Sequence, residues 1–201
     1  MHLNPSLMRL HLICGAGLLL VLLAGRTGAQ TSPAPLHPQP GQGSVLHYTV
    51  HYMGTDYQYT LKVDSVEQDQ IILDWSLPEL GQGRYLMSMQ AFLHGTASFQ
   101  GQPEAGVDTR LDDSVTLACV SRDFFRTLED SGHAVYNGIA YTKKDNPKGF
   151  SLKGIKVDAV FLSGSDGSRM WLLNDERVPL VLDKEPAPDS GGIGLTLDSI
   201  Q

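Results

Sequence analysis

KVDAVFLSGSDGSRMWLLNDERVPLVL, residues 156–182, holds two apolar runs joined at Ser165-Asp166-Gly167-Ser168 and a third after Asn174-Asp175-Glu176-Arg177. Short β-rich runs broken by Gly, Asp and Asn about every eight to ten residues are built most simply as adjacent antiparallel strands, because parallel neighbours need much longer crossovers. The rest of the chain repeats this grammar.

Val45–Met53 alternates Leu46, Tyr48, Val50 and Tyr52 with His47, Thr49 and His51, which predicts a half-buried strand. Gly54-Thr55-Asp56 turns the chain, and Tyr57, Tyr59, Leu61 and Val63 alternate with polar partners in a second strand. Asp69–Leu77 gives a third, with Ile71, Leu73, Trp75 and Leu77 in phase. Arg84–Ser88 opens a further strand, whereas MQAFLHGTAS fits either a short helix or a continued strand. Residues 99–113, rich in Gly, Pro and acids, are expected to form a long mobile loop.

Ser114–Val120 reads as strand, with Cys119 as a small buried hydrophobe. A helix is expected directly after it. Ser121 can cap its start, Asp123 suits the first turn, Phe124, Phe125 and Leu128 make an apolar stripe, and Gly132 suits a left-handed end. His133–Tyr141 and Phe150–Leu162 continue the meander across the turn Asp145–Gly149. Ile193, Leu195, Leu197 and Ser199 share one side of a closing strand. The fold class is therefore mostly β with one or two short helices, an antiparallel meander curling into a half-barrel or barrel packed on a helix.

The beginning of the sequence has a different logic. Arg9 and two histidines precede an apolar stretch, Leu10–Ala24, and Thr27-Gly28-Ala29 follows. The stretch is shorter than the ~20 residues of a membrane helix and ends in small residues, so residues 1–29 read as a signal peptide and the chain is expected to be exported, to the periplasm or the extracellular space. Residues 30–44 read as a flexible Pro/Gly/Gln-rich leader, and 45–201 as a single β-rich domain without a membrane span.

The full sequence carries 15 basic and 22 acidic residues, a net charge of −7. Cleavage after residue 29 would remove Arg9 and Arg26 and no acid, leaving 13 against 22 and a charge of −9. Such a surface repels phosphate, so nucleic acid is not an expected partner. Cleavage would also leave Cys119 as the sole cysteine, with no disulfide to form.

Motifs that carry chemistry are not found. His47 and His51 share a strand face, but their Cα atoms are about 13 Å apart, too far for one metal ion. Ser163–Ser168 lacks glycine at both flanking positions of a nucleophile elbow and reads as a hairpin turn. Asp112-Asp113 and Asp145-Asn146 lack the alternating oxygen ligands of a calcium loop, and the paired glycines open no dinucleotide-binding helix. No catalytic residue, metal or cofactor is nominated.

LHYTVHY, DDSVTLACVSRDFFRTL, the 157–182 segment and the closing LTLDSI together resemble uncharacterised exported β-rich proteins of bacteria with a curved half-barrel domain of unknown function. More loosely they are similar in architecture to periplasmic lipoprotein carriers and their sensor relatives. This resemblance implies a curved sheet whose concave face holds an apolar molecule or lipid, and it transfers no functional residue. The expectation is a noncatalytic envelope or periplasmic protein holding an apolar ligand or a partner segment, with Tyr48, Tyr52, Tyr57, Tyr59, Trp75 and Trp171 as ligand-face candidates. Two alternatives stand beside it. One is a hydrolase assembled only in the fold, from His94 or His133 and an acid of the segment Asp108–Asp113; the other is a structural envelope adaptor pairing through an edge strand.

Overall fold

A computed structural model describes residues 36–145 and 149–201. The expected signal peptide, the first part of the leader and the middle of the Asp145–Gly149 turn lie outside them. Fifteen strands and two helices follow in chain order: β1 (Val45–Tyr52), β2 (Thr55–Val66), β3 (Gln70–Leu77), β4 (Gly81–Ser88), α1 (Met89–His94), β5 (Ala97–Ser98), β6 (Asp108–Arg110), β7 (Val115–Thr116), α2 (Arg122–Ser131), β8 (His133–Tyr136), β9 (Ile139–Lys144), β10 (Phe150–Leu152), β11 (Ile155–Val157), β12 (Ala159–Gly164), β13 (Arg169–Leu173), β14 (Val181–Glu185) and β15 (Gly194–Ile200).

Eleven of the strands make one sheet in the order β6, β4, β3, β2, β1, β15, β14, β13, β12, β9, β8. Every pairing in it is antiparallel except β4 with β6. The protein is thus mostly β with two short helices, as the period-two pattern predicts. The sheet does not close into a barrel, since β6 and β8 remain its two edges.

Local chemistry explains the tight connections. Met53-Gly54, Asn137-Gly138 and Lys153-Gly154 each place two successive residues at positive φ, the turn whose twist matches antiparallel strands. Helix α2 is bounded as its sequence predicts. The Ser121 hydroxyl accepts from the Phe124 amide at 3.2 Å, and Gly132 takes the left-handed conformation at φ 75°. The segment left open between helix and strand is α1, whose first turn is closed by the Ser88 hydroxyl accepting from the Ala91 amide at 3.0 Å.

One face of the sheet, called inner here, carries α2. Phe124, Phe125 and Leu128 pack there against Val160, Leu162, Met170 and Leu172, with Tyr136 and Tyr141 completing a dry cluster. Toward the other edge Leu46, Tyr48, Leu61, Leu73, Trp75 and Tyr85 are buried in a second cluster. On β13 the neighbours alternate, so Trp171 faces away from the side that carries Met170. It stacks on Phe161 with ring centroids 4.6 Å apart.

Four expectations change in the structure. Residues 99–113 contain β6 and are packed against the sheet: a Cβ on Gly83 would come within about 3.0 Å of the Val107 carbonyl oxygen. Strand Ser114–Val120 shortens to β7, because Ala118 sits at φ 61° and breaks the extended path. Ser199 leaves the side of Leu197, because a bulge at Asp198 pairs Leu197 with Tyr48 but Ser199 with His47. Residues 36–44 of the leader are held in place: the Leu36 amide donates to the Lys156 carbonyl at 2.7 Å and the Gly43 amide to the Val63 carbonyl at 2.8 Å.

Candidate functional site

Between the inner face and the segment that crosses it lies a cavity of about 170 Å³. Its floor is Val50, Tyr59, Leu61, Leu77 and Tyr85 from the first four strands, continued by Met170, Val181 and Leu195. Phe99, Gln100, Gly101, Pro103, Leu117, Ala118, Cys119 and Val120 form the roof. The void follows from the roof's irregularity. A chain that turns through left-handed Ala118 cannot present side chains at a regular spacing, so it matches the pleated floor poorly.

The roof is nevertheless fixed at both ends. The Val181 amide donates to the Ala118 carbonyl at 2.8 Å, and the Val120 amide donates to the Pro179 carbonyl at 3.1 Å. At the opposite end the Tyr136 hydroxyl donates to the Ala97 carbonyl at 2.9 Å and meets the Thr116 hydroxyl, which itself reaches the Cys119 carbonyl. The Phe99 ring packs edge-on against Tyr85 at 5.1 Å.

Burial dominates the electrostatics. It pushes the Cys119 thiol up to about 12, with a backbone hydrogen bond from Leu117 opposing it in part. It likewise raises Tyr59 well above the usual phenol range, reinforced by the neighbouring Tyr85, and takes Tyr85 up to about 12. These groups are neutral at ordinary pH, so the thiol is no nucleophile. Lys184 differs. It lines the cavity and is half-buried, and loss of hydration lowers its ammonium below the usual lysine range, with Asp166 opposing that shift. Among the described residues it is the one lining residue of a type that is ionised near neutrality.

Lys184 was not legible in the sequence. Simple alternation along Val181–Glu185 groups it with Leu182, but a bulge opposite Trp171 and Leu172 pairs Val181 with Leu172 and Lys184 with Met170. Lys184 therefore turns to the inner face beside Val181.

Of the six tyrosines and tryptophans named as ligand-face candidates, Tyr59 lines the cavity. Tyr48 is on the inner face but wholly buried in the core, its hydroxyl donating to the Val181 carbonyl at 2.9 Å. Trp75 is also buried and borders a separate depression with Asp74, Arg84 and Asp108. Tyr57 packs at the core's margin, Tyr52 is exposed at the strand end, and Trp171 is on the opposite face.

The histidines fall elsewhere. His94 Nδ1 lies 2.5 Å from Asp123, whose carboxyl is held below the usual range by that hydrogen bond and by Arg126 and Arg122. His133 Nδ1 meets the Ser131 carbonyl at 3.0 Å. Neither ring bonds to a residue of 108–113. His51, on the outer face, comes nearest to a catalytic arrangement: Asp56 is 2.7 Å from Nδ1 and the Thr196 hydroxyl 3.1 Å from Nε2. That hydroxyl, however, donates its proton to Asp183 at 2.7 Å, so His51 is not positioned to remove it.

Among the described residues no group of three or more His, Cys, Asp or Glu side chains is arranged to hold a metal ion, and no helix is long and apolar enough to cross a membrane. No protein-family model matches this sequence, and no curated protein matches it.

Proposed function

We propose that the protein is an exported, noncatalytic component of the envelope or periplasm that holds an apolar ligand on the inner face of its sheet. The cavity carries this reading. Apolar side chains dominate its lining, its roof is pinned by hydrogen bonds, and its volume of about 170 Å³ is large enough for a benzene-sized guest. The leading apolar stretch of the sequence supports export.

Benzene titrated into the purified protein tests the cavity. The methyl resonances of Leu61, Leu117 and Leu195 are expected to shift in a saturable way, and Val50→Phe, which fills the void, is expected to abolish the shifts. No saturable shift in the wild type overturns the reading.

The second reading, an adaptor, rests on β8: it is an edge strand and exposes Val135 at 62 %. Sedimentation of the wild type against Val135→Lys checks it, since a shared charge on the edge would dissociate any strand-to-strand assembly.

A further inference from the structure

We infer that the cavity takes a small monocarboxylate, its apolar body under the roof and its carboxylate on the Lys184 ammonium. This deepens the proposed function and rests on the cavity being a ligand site. Three observations lead to it.

The first is charge. Lys184 lines an apolar cavity, half-buried, and its ammonium makes no hydrogen bond or ion pair among the described residues. Asp166 acts on it through space but makes no ion pair with it and accepts from the Ser168 hydroxyl at 2.6 Å, Asp183 accepts from Thr196 at 2.7 Å, and Glu185 pairs with Arg169 at 2.7 Å. A cation withdrawn from water beside apolar walls is stabilised further by an anion brought to it, and a ligand carboxylate would add to what Asp166 supplies without an ion pair. Desolvation of Lys184 is the same fact seen from the protein side.

Valence is the second. A single ammonium, with no second cation lining the cavity among the described residues, balances one negative charge. A carboxylate matches that, whereas a phosphate monoester carries more charge and calls for more donors.

Size is the third. A void of about 170 Å³ accommodates an apolar body of about six carbon atoms. A long acyl chain exceeds this volume and would extend beyond it.

Calorimetric titration at neutral pH with three chain-matched ligands, hexanoate, 1-hexanol and hexylamine, separates the parts of this inference. Hexanoate is expected to bind about tenfold or more tighter than hexanol, the worth of one charge-assisted hydrogen bond, with hexylamine weakest. In Lys184→Met the preference for hexanoate over hexanol is expected to fall to about one, and in Lys184→Arg to persist. Equal binding of hexanoate and hexanol to the wild type overturns the carboxylate assignment and leaves the apolar cavity standing. Failure of all three ligands to bind overturns the cavity reading itself. The wild-type comparison needs no variant, so a misfolded substitution cannot mask the result.

Discussion

The inner face of one sheet is covered in two ways. Over β8, β9, β12 and β13 the cover is α2, and its Leu128 and the Leu162 and Leu172 beneath it are completely shielded. Over β1 to β4 the cover is an irregular segment with Ala118 in a left-handed turn, and there the cavity remains. A helix satisfies its own backbone and sets side chains at regular intervals, so they fill the pleats of a sheet. An irregular strap must spend side chains and carbonyls on holding its own path, as Thr116 and Ala118 do here. Tight packing and an open site are thus two outcomes of the same apolar floor, decided by what lies on it.

Large-to-small substitution under the helix should break this comparison most severely. Leu128→Ala is expected to cost about 2–5 kcal/mol in urea unfolding, because well-packed neighbours cannot collapse into the gap. Leu117→Ala in the strap should cost distinctly less, since that side chain already borders a void.

Alkaline pH should strike the strap next. The Cys119 thiol has an ordinary value of 9.0 and rises to about 12 in the fold. The unfolded chain therefore loses this proton first, so the stabilisation is whole below pH 9 and is lost as pH rises through the window from 9 to 12. Unfolding free energies measured across that window should decline by up to about 1.4 kcal/mol per pH unit for this group. Cys119→Ala should flatten the decline relative to the wild type, leaving the slope that the buried tyrosines contribute above pH 10.

Small-to-large changes sharpen the contrast by differing between the two regions. Ala134→Leu, beneath α2, is expected to cost about 1–3 kcal/mol through overpacking. Leu195→Phe, on the cavity floor, should cost less than about 1 kcal/mol and reduce benzene binding. Equal penalties at both positions would mean that the strap covers its half as tightly as the helix covers the other. The smallest expected effect is Ser121→Ala, about 1 kcal/mol from loss of the helix cap, read as a lower melting temperature.

How much of this was legible follows the range of the forces involved. Tyr48, Leu61 and Trp75 announce their strands by period two, and Ser121 with Gly132 brackets α2, because alternation and capping act within a few residues. The parallel seating of β6 beside β4 depends on Gly83 meeting distant backbone, and the orientation of Lys184 depends on a bulge against β13. Such features come from the partner strand, and nothing near Gly83 or Lys184 in the sequence marks them. The aromatic face at Tyr48, Tyr59 and Trp75 was visible as a pattern. Which of those rings border empty space depended on the roof.

The pairing of β1 with β15 in the middle of the sheet has a kinetic consequence. Thr49 and Asp198, bonded across that seam at 2.8 Å, are 149 residues apart in the chain. Either arm of the sheet can assemble by local hairpins, but the join between them closes an enormous loop, and folds of high contact order mature slowly. A polypeptide stopped short of Gly194 would hold two unstitched arms with bare central edges, a form suited to capture by a chaperone. A circular permutant opened at a peripheral hairpin, which brings these two strands together through a short linker, is expected to fold markedly faster.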